Sequence, residues 1–117
     1  MLRLFALLLL LPVAALAQRA DTVDAATLRF LDRTTGQRAD IVIRKGQVLE
    51  LGQIQVSLSE CRYPESAISQ DAYALLTIRD QEIGEDIFSG WMVASAPALN
   101  ALEHRRYDIW VLRCNAS

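Results

Sequence analysis

Apolar and polar residues alternate along much of the chain beyond position 25. Ala39 to Arg44 sets Ala39, Ile41 and Ile43 against Asp40, Val42 and Arg44, and a period of two marks a strand with one covered face. Gln53 to Cys61 is the cleanest case: Ile54, Val56 and Leu58 face one way, and Gln53, Gln55, Ser57 and Ser59 the other. Strict alternation puts Cys61 on the polar face. If Cys61 pairs inside the fold, this strand must end or bulge near Glu60. Ala26 to Asp32 reads as an earlier strand with Leu28 and Phe30 on one side. Val48 to Leu51 reads as a short strand, and Ala72 to Arg79 as another, with Ala72, Ala74, Leu76 and Ile78 together. Turn residues separate these runs: Asp32-Arg33-Thr34-Thr35-Gly36, Lys45-Gly46, Gly52, a loop over Arg62 to Gln70 with Pro64, and the acidic run Asp80 to Asp86. Glycine, proline and short polar side chains favour turns for distinct reasons of backbone geometry and local hydrogen bonding. The first two strands make a hairpin.

The densest punctuation lies between Ile87 and Cys114. Ile87 to Val93 predicts a strand, and Gly90 within it marks a bulge or a close backbone approach. Ser95-Ala96-Pro97 opens a short helix, with serine as cap and proline in the first turn. Leu99 and Leu102, three apart, are expected to pack inward. His104, Arg105 and Arg106 then sit at the negative end of the helix dipole. Tyr107 to Cys114 is apolar on both faces, with Ile109 and Val111 on one and Trp110, Leu112 and Cys114 on the other. That pattern predicts a central strand or one covered by the short helix. The expected fold is all-β: a small antiparallel sandwich or barrel of about seven short strands, with one short helical turn near the C-terminus.

The start of the chain has a different character. Arg3 precedes an apolar run from Leu4 to Leu16 that includes Leu7 to Leu11, Pro12 interrupts it, and Ala15-Leu16-Ala17 fits a small-x-small cleavage site. Residues 1–17 therefore read as a secretory signal peptide cut after Ala17. The run is shorter than the roughly 20 apolar residues that span a bilayer. Membrane contact is thus expected only through this leader before cleavage. Residues 18–25 read as a flexible arm, 26–114 as a single β domain, and 115–117 as a tail. With Arg3 removed from the 12 basic residues, the remaining cations, all arginine but Lys45, are scattered among 14 acidic ones. No basic stripe forms, which argues against a nucleic-acid partner.

Cys61 and Cys114 are the only cysteines. In an exported chain two cysteines read as one disulfide; two free thiols or a redox pair are the alternatives, although the close spacing of a catalytic dithiol is absent. His104 is the only histidine. With Glu103, Tyr107 and Asp108 nearby, and Ser89 or Ser95 within spatial reach, a serine–histidine–acid site is conceivable. No nucleophile elbow is visible, and a capping or hydrogen-bonded histidine explains the same residues. A metal site needs several converging ligands, which one histidine and two paired cysteines do not supply, and no phosphate-cradling glycine loop is present. No metal or cofactor is expected. The carboxylates Asp80, Glu82, Glu85 and Asp86 do not follow the EF-hand spacing and read as a solvated turn. Phe88, Trp91, Met92, Tyr107 and Trp110 form either the core or an aromatic groove for a peptide, glycan or partner protein.

Phe88-Ser89-Gly90-Trp91-Met92, Ala94-Ser95, Pro97, Leu99-Asn100-Ala101-Leu102-Glu103-His104, Tyr107-Asp108-Ile109-Trp110-Val111 and Cys114 together resemble a family of small exported bacterial proteins called DUF2155. Leu31-Asp32, Thr35-Gly36 and Gly52 also fit, so the resemblance covers nearly all of the chain from Ala26. Val93, Ala96 and Arg105 depart from the family's usual phenylalanine, serine and proline, and the last of these bears on how the short turn ends. The resemblance implies an envelope protein of Gram-negative bacteria and supplies no catalytic residues. The expectation is a periplasmic, disulfide-stabilised β domain acting as a non-enzymatic binding or scaffolding module of the cell envelope. Its partner would be an envelope protein, peptide or glycan, and its candidate surface Ser89, Gly90, Trp91, Ser95, Asn100, Glu103 and His104. The alternative is a small envelope hydrolase using His104.

Overall fold

The structure, a computed structural model, describes residues 24–64 and 71–115. The leader, most of the expected arm, most of the loop after Arg62 and the last two residues of the tail lie outside these. Seven strands and one 3-10 turn follow in order: β1 Ala25–Asp32, β2 Arg38–Arg44, β3 Val48–Leu51, β4 Ile54–Arg62, β5 Tyr73–Asp80, β6 Glu85–Val93, the turn Pro97–Leu99, and β7 Tyr107–Asn115. They form two antiparallel sheets, one ordered β2-β1-β7 and the other β3-β4-β5-β6.

The alternation read in the sequence builds the core. Ile54, Val56 and Leu58 of β4 and Ala74, Leu76 and Ile78 of β5 face inward, meeting Ala26 and Leu28 of β1, Ile43 of β2 and Ile109 and Val111 of β7. Removing such apolar surface from water is the main force holding the layers together. Tyr107 is the largest fully buried side chain. Its ring stacks on Phe30 at 5.5 Å between centroids, and its hydroxyl accepts a hydrogen bond from the Gln53 amide at 3.1 Å. Gly52, with φ +60°, turns the chain beneath that ring; a Cβ there would approach Tyr107 Cζ to 2.8 Å.

The parity conflict at Cys61 is resolved by a bulge. In the β4–β5 ladder Leu58 faces Leu76, Glu60 faces Leu75 and Cys61 faces Ala74, so Ser59 is the extra residue. β7 carries a matching irregularity: Val111 faces Leu28 and Arg113 faces Thr27, leaving Leu112 over. Cys114 thereby joins the face of Ile109 and Val111, not that of Trp110 where simple alternation placed it. An inserted residue shifts every later side chain to the other face. These two insertions turn Cys61 and Cys114 inward, and they form a disulfide with Cα atoms 5.7 Å apart.

Two expectations about the C-terminal third are corrected. β7 is an edge strand paired with β1 alone, and β1 is central. Trp110 and Leu112 are half-buried on the outer face, which is why β7 looks apolar on both sides. The expected short helical turn is present as one 3-10 turn, but without the expected serine cap. Leu99 points to solvent at 74% exposure while Leu102 alone enters the core.

The β1–β2 and β5–β6 hairpins close with the same five-residue turn, Asp32-Arg-Thr-Thr-Gly36 and Asp80-Gln-Glu-Ile-Gly84. In each, the aspartate side chain accepts the amide two residues on, Thr34 at 2.9 Å and Glu82 at 2.8 Å. The glycine, at φ +79° or +73°, donates its amide back to the aspartate carbonyl at 2.7 or 2.8 Å. Both aspartates are buried, and both are bound by the segment leading into β7.

Candidate functional site

That segment places His104. Its Nδ1 accepts the amides of Arg106 at 3.0 Å and Tyr107 at 3.2 Å. The ring proton is therefore on Nε2, which donates to Asp80 at 3.2 Å. Two residues on, Arg106 forks both Asp32 oxygens at 3.0 Å. Arg33 reaches the His104 carbonyl at 2.6 Å. The Arg106 hydrogen bonds hold the Asp32 carboxyl at about 2, well below the usual carboxylate value. Burial disfavours a charged Asp80, but the amides of Glu82 and Ile83 and the His104 ring outweigh it and keep that carboxyl below its usual range too. His104 and Arg106 are thus plugs, one in each Asp-x-x-x-Gly turn.

This arrangement decides what His104 can do. A catalytic histidine takes a proton from the nucleophile on one ring nitrogen while a carboxylate holds the other. Asp80 supplies the carboxylate, but the second nitrogen is committed to two main-chain amides. No ring nitrogen is left to act as base, so the geometry gives the hydrolase reading no support.

The aromatic cluster divides. Phe88, Met92 and Tyr107 enter the core. Trp110 lies on the outer face of the three-stranded sheet opposite Arg29, and Trp91 on the outer face of the four-stranded sheet at 37% exposure. Beside Trp91, the register brings Arg62 of β4 opposite Tyr73 of β5, and Leu75 opposite Trp91 itself. Arg62, Tyr73 and Trp91 line a cavity of about 400 Å³. The Arg62 guanidinium lies 5.9 Å from the indole centroid and is held by Glu60, so a cation–π contact and an ion pair fix one cation over the ring. Asp71 ties the start of β5 to the chain leaving β6. It accepts the Ser95 amide at 3.0 Å, the Ser95 hydroxyl at 2.8 Å and the Ala72 amide at 2.8 Å. Burial works against the charged Asp71, yet these bonds hold its carboxyl below the ordinary range.

The structure brings Gly90, Trp91 and Asn100 together. Asn100 Nδ2 donates to the Trp91 carbonyl at 2.9 Å, and a Cβ on residue 90 would meet that nitrogen at 3.0 Å. Gly90 is therefore a close approach, and the bulge in β6 falls at Ile87 instead. Ser89 is exposed on the same strand. Ser95 is spent on Asp71, Glu103 is exposed, and His104 lies at the far end of β6, by Asp80 and its register partner Glu85. The segment Asn100–His104 thus runs back along the outer edge of β6. Tyr73 and Arg62 were missed by sequence reasoning. The signal was the second face of β5, where Tyr73, Leu75, Thr77 and Arg79 alternate with the core residues. Among the described residues no group of three metal-ligating side chains converges, and no helix is long and apolar enough to cross a membrane.

Comparison with known families matches residues 26–114 to a family described as an uncharacterized protein conserved in bacteria (DUF2155). This chain belongs to the DUF2155 family. An uncharacterized protein of Rickettsia prowazekii (strain Madrid E) is 33% identical over 87 residues, covering 72% of this chain and 56% of the relative. The DUF2155 chain spans little more than half the length of that relative. No solved structure shows significant similarity to it.

Proposed function

We propose that this DUF2155 domain is a periplasmic, disulfide-braced binding or scaffolding module of the cell envelope with no catalytic chemistry of its own. The compartment reading rests on the leader-like residues 1–17 and on the Cys61–Cys114 bridge, because disulfides persist in oxidising compartments. The observation that carries the binding reading is Trp91, a large ring left partly exposed beside Tyr73 and under Arg62 on a sheet face with a cavity. Tryptophan, tyrosine and arginine are the side chains that concentrate binding energy at interfaces. The partner is an envelope protein, peptide or glycan. Of the surface expected from sequence, Ser89, Gly90 and Trp91 remain as contacts. Asn100 and Ser95 support them from behind, and His104 serves the fold.

Crosslinking in intact cells tests this reading, with the wild type compared to Trp91→Ala and the fold of each checked by circular dichroism. The expected result is an adduct that depends on Trp91. Identical adducts from both proteins, or none from either, count against it.

A further inference from the structure

The free main-chain groups of β2 can be assigned residue by residue. Next to it, the Asp32 amide donates to the Gln37 carbonyl at 2.9 Å and the Lys45 amide to the Asp24 carbonyl at 2.6 Å. Both bonds continue the β1–β2 register, in which Leu31 faces Arg38 and Ala25 faces Arg44. Bonded and non-bonded pairs alternate in an antiparallel ladder. Ala39, Ile41 and Ile43 therefore direct their N–H and C=O groups to β1, and Arg38, Asp40, Val42 and Arg44 direct theirs away. At Arg44 the local turn closes the outward pair: Gln47 Oε1 accepts the Arg44 amide at 2.8 Å and the Gln47 amide donates to the Arg44 carbonyl at 2.9 Å. The outward main-chain groups of Arg38, Asp40 and Val42 have no partner among the described residues.

Other edges are closed or short. On β6, Asn100 occupies the Trp91 carbonyl and the Ala96 amide the Val93 carbonyl. β3 has only 4 residues, and β7 opens with its Tyr107 amide bound to His104. From Arg38 to Val42, β2 has none of these devices, and the charged side chains Arg38, Asp40 and Arg44 on its exposed face alternate in sign. Arg38 makes no ion pair with a described residue, and Asp40 is held by Arg29 at 2.7 and 2.9 Å. Val42 is 53% exposed, and a cavity of about 310 Å³ opens against Arg29, Arg38, Ala39 and Asp40.

We propose that β2 pairs antiparallel with β2 of a second copy about a twofold axis at Ala39, Arg38 of each copy facing Asp40 of the other. Each facing pair exchanges both main-chain hydrogen bonds, and the two three-stranded sheets join into one. Charge selects this register. An axis at Asp40 sets the two carboxylates opposite each other, and like charges directly opposite are destabilising. An axis at Val42 sets Asp40 against Arg44, whose main chain Gln47 already occupies. An axis at Ile41 leaves Asp40 facing Val42. The Ala39 axis alone matches free backbone to free backbone and opposite charge to opposite charge. The contact is isologous, so it closes at a dimer, and its small area makes the association weak and reversible.

Sedimentation equilibrium on the disulfide-intact chain purified from cells tests the pairing. Wild type should self-associate reversibly with concentration. Arg38→Glu and Asp40→Arg should each weaken this by about tenfold or more, because each sets like charges face to face. An equimolar mixture of the two should recover a heterodimer, since every facing pair is then of opposite sign. Arg38→Pro deletes one outward N–H while leaving the ladder to β1 intact, and it should also stay monomeric. This variant carries the test if Asp40→Arg perturbs the fold. A wild type that stays monomeric into the millimolar range overturns the proposal, as do self-association that survives these substitutions and a mixture that stays monomeric. A β2 edge used only by an extended strand of a different protein would give the first of these results.

Discussion

Reducing the Cys61–Cys114 bond should lower the stability of the domain by about 4 kcal/mol. The bridge spans 53 positions, and the chain-entropy relation for a loop of that length gives roughly 14 cal/mol/K, or about 4 kcal/mol at 25 °C. Domains of this size are stable by only about 5–15 kcal/mol in total, so the bridge is a large share of the margin. The stabilisation acts on the unfolded chain: the cross-link ties the middle of the sequence to its end and removes extended conformations. Urea unfolding followed by tryptophan fluorescence measures it, on the oxidised protein, the reduced protein and Cys61→Ala/Cys114→Ala. The reduced protein should unfold at lower urea with a steeper dependence, because a chain without the cross-link exposes more surface. The alanine pair should lose slightly more, since Cys61 is 1% exposed and truncation leaves a void. A reduced protein within about 1 kcal/mol of the oxidised one would refute the loop-entropy reasoning. A large loss at unchanged urea dependence would move the stabilisation from the unfolded chain to native packing.

Gly52→Ala should cost roughly 2–4 kcal/mol, adding left-handed backbone strain to a collision with Tyr107. Gly36→Ala, at φ +79° but in open space, should cost only about 1 kcal/mol; equal losses in thermal melts would remove the collision from the account. Deleting Ser59 should turn β4 into a regular ladder with Cys61 still inward, so thiol titration under denaturing, non-reducing conditions should find no free thiol. Deleting Ser57 flips Leu58 outward and should not yield a folded domain. Asp32 has a folded value of about 2 against an ordinary 3.8, so it binds its proton more readily when unfolded. Its stabilisation is present above pH 4 and fades as pH falls toward 2. Asp32→Asn should flatten that acid limb of a melting-temperature profile, and an unchanged slope would show that the Arg106 fork contributes nothing.

Local chemistry made much of this fold legible. Period-two runs located β2 and β4, glycines located the turns, and the misplaced parity of Cys61 pointed to a bulge one residue from where it lies. Where local pattern failed, the cause was pairing between distant segments. Nothing within Tyr107–Cys114 says that its partner is β1 alone, so a two-faced apolar run looked central when it edges its sheet. Leu99 and Leu102 share helical spacing, but the 3-10 turn ends at Leu99, so Leu102 lies in the irregular chain beyond it and it alone reaches the core. The candidate site suffered from the same limit. Trp91 and Gly90 could be singled out from their own neighbourhood, whereas Arg62 and Tyr73 join them only through the β4–β5–β6 register. His104 invited a catalytic reading because its two amide donors follow it by two and three residues, a bend that no spacing rule announces.

The position of β1 between β2 and β7 also sets the order of events in folding. β2 follows β1 after one tight turn, but β7 is the last of the seven described strands, and its Asn115 pairs with Ala25 at the start of β1. Contacts between chain ends form slowly, because a long loop must be closed before they are rewarded. Until β7 arrives, Ala26 and Leu28 lack their register partners Cys114 and Val111, the Asp32 and Asp80 turns lack their plugs, and Cys61 has no partner. Without β7 and the segment that leads into it, the three-stranded sheet, both turns and the disulfide all stay incomplete, so the two ends of the described domain stand or fall together.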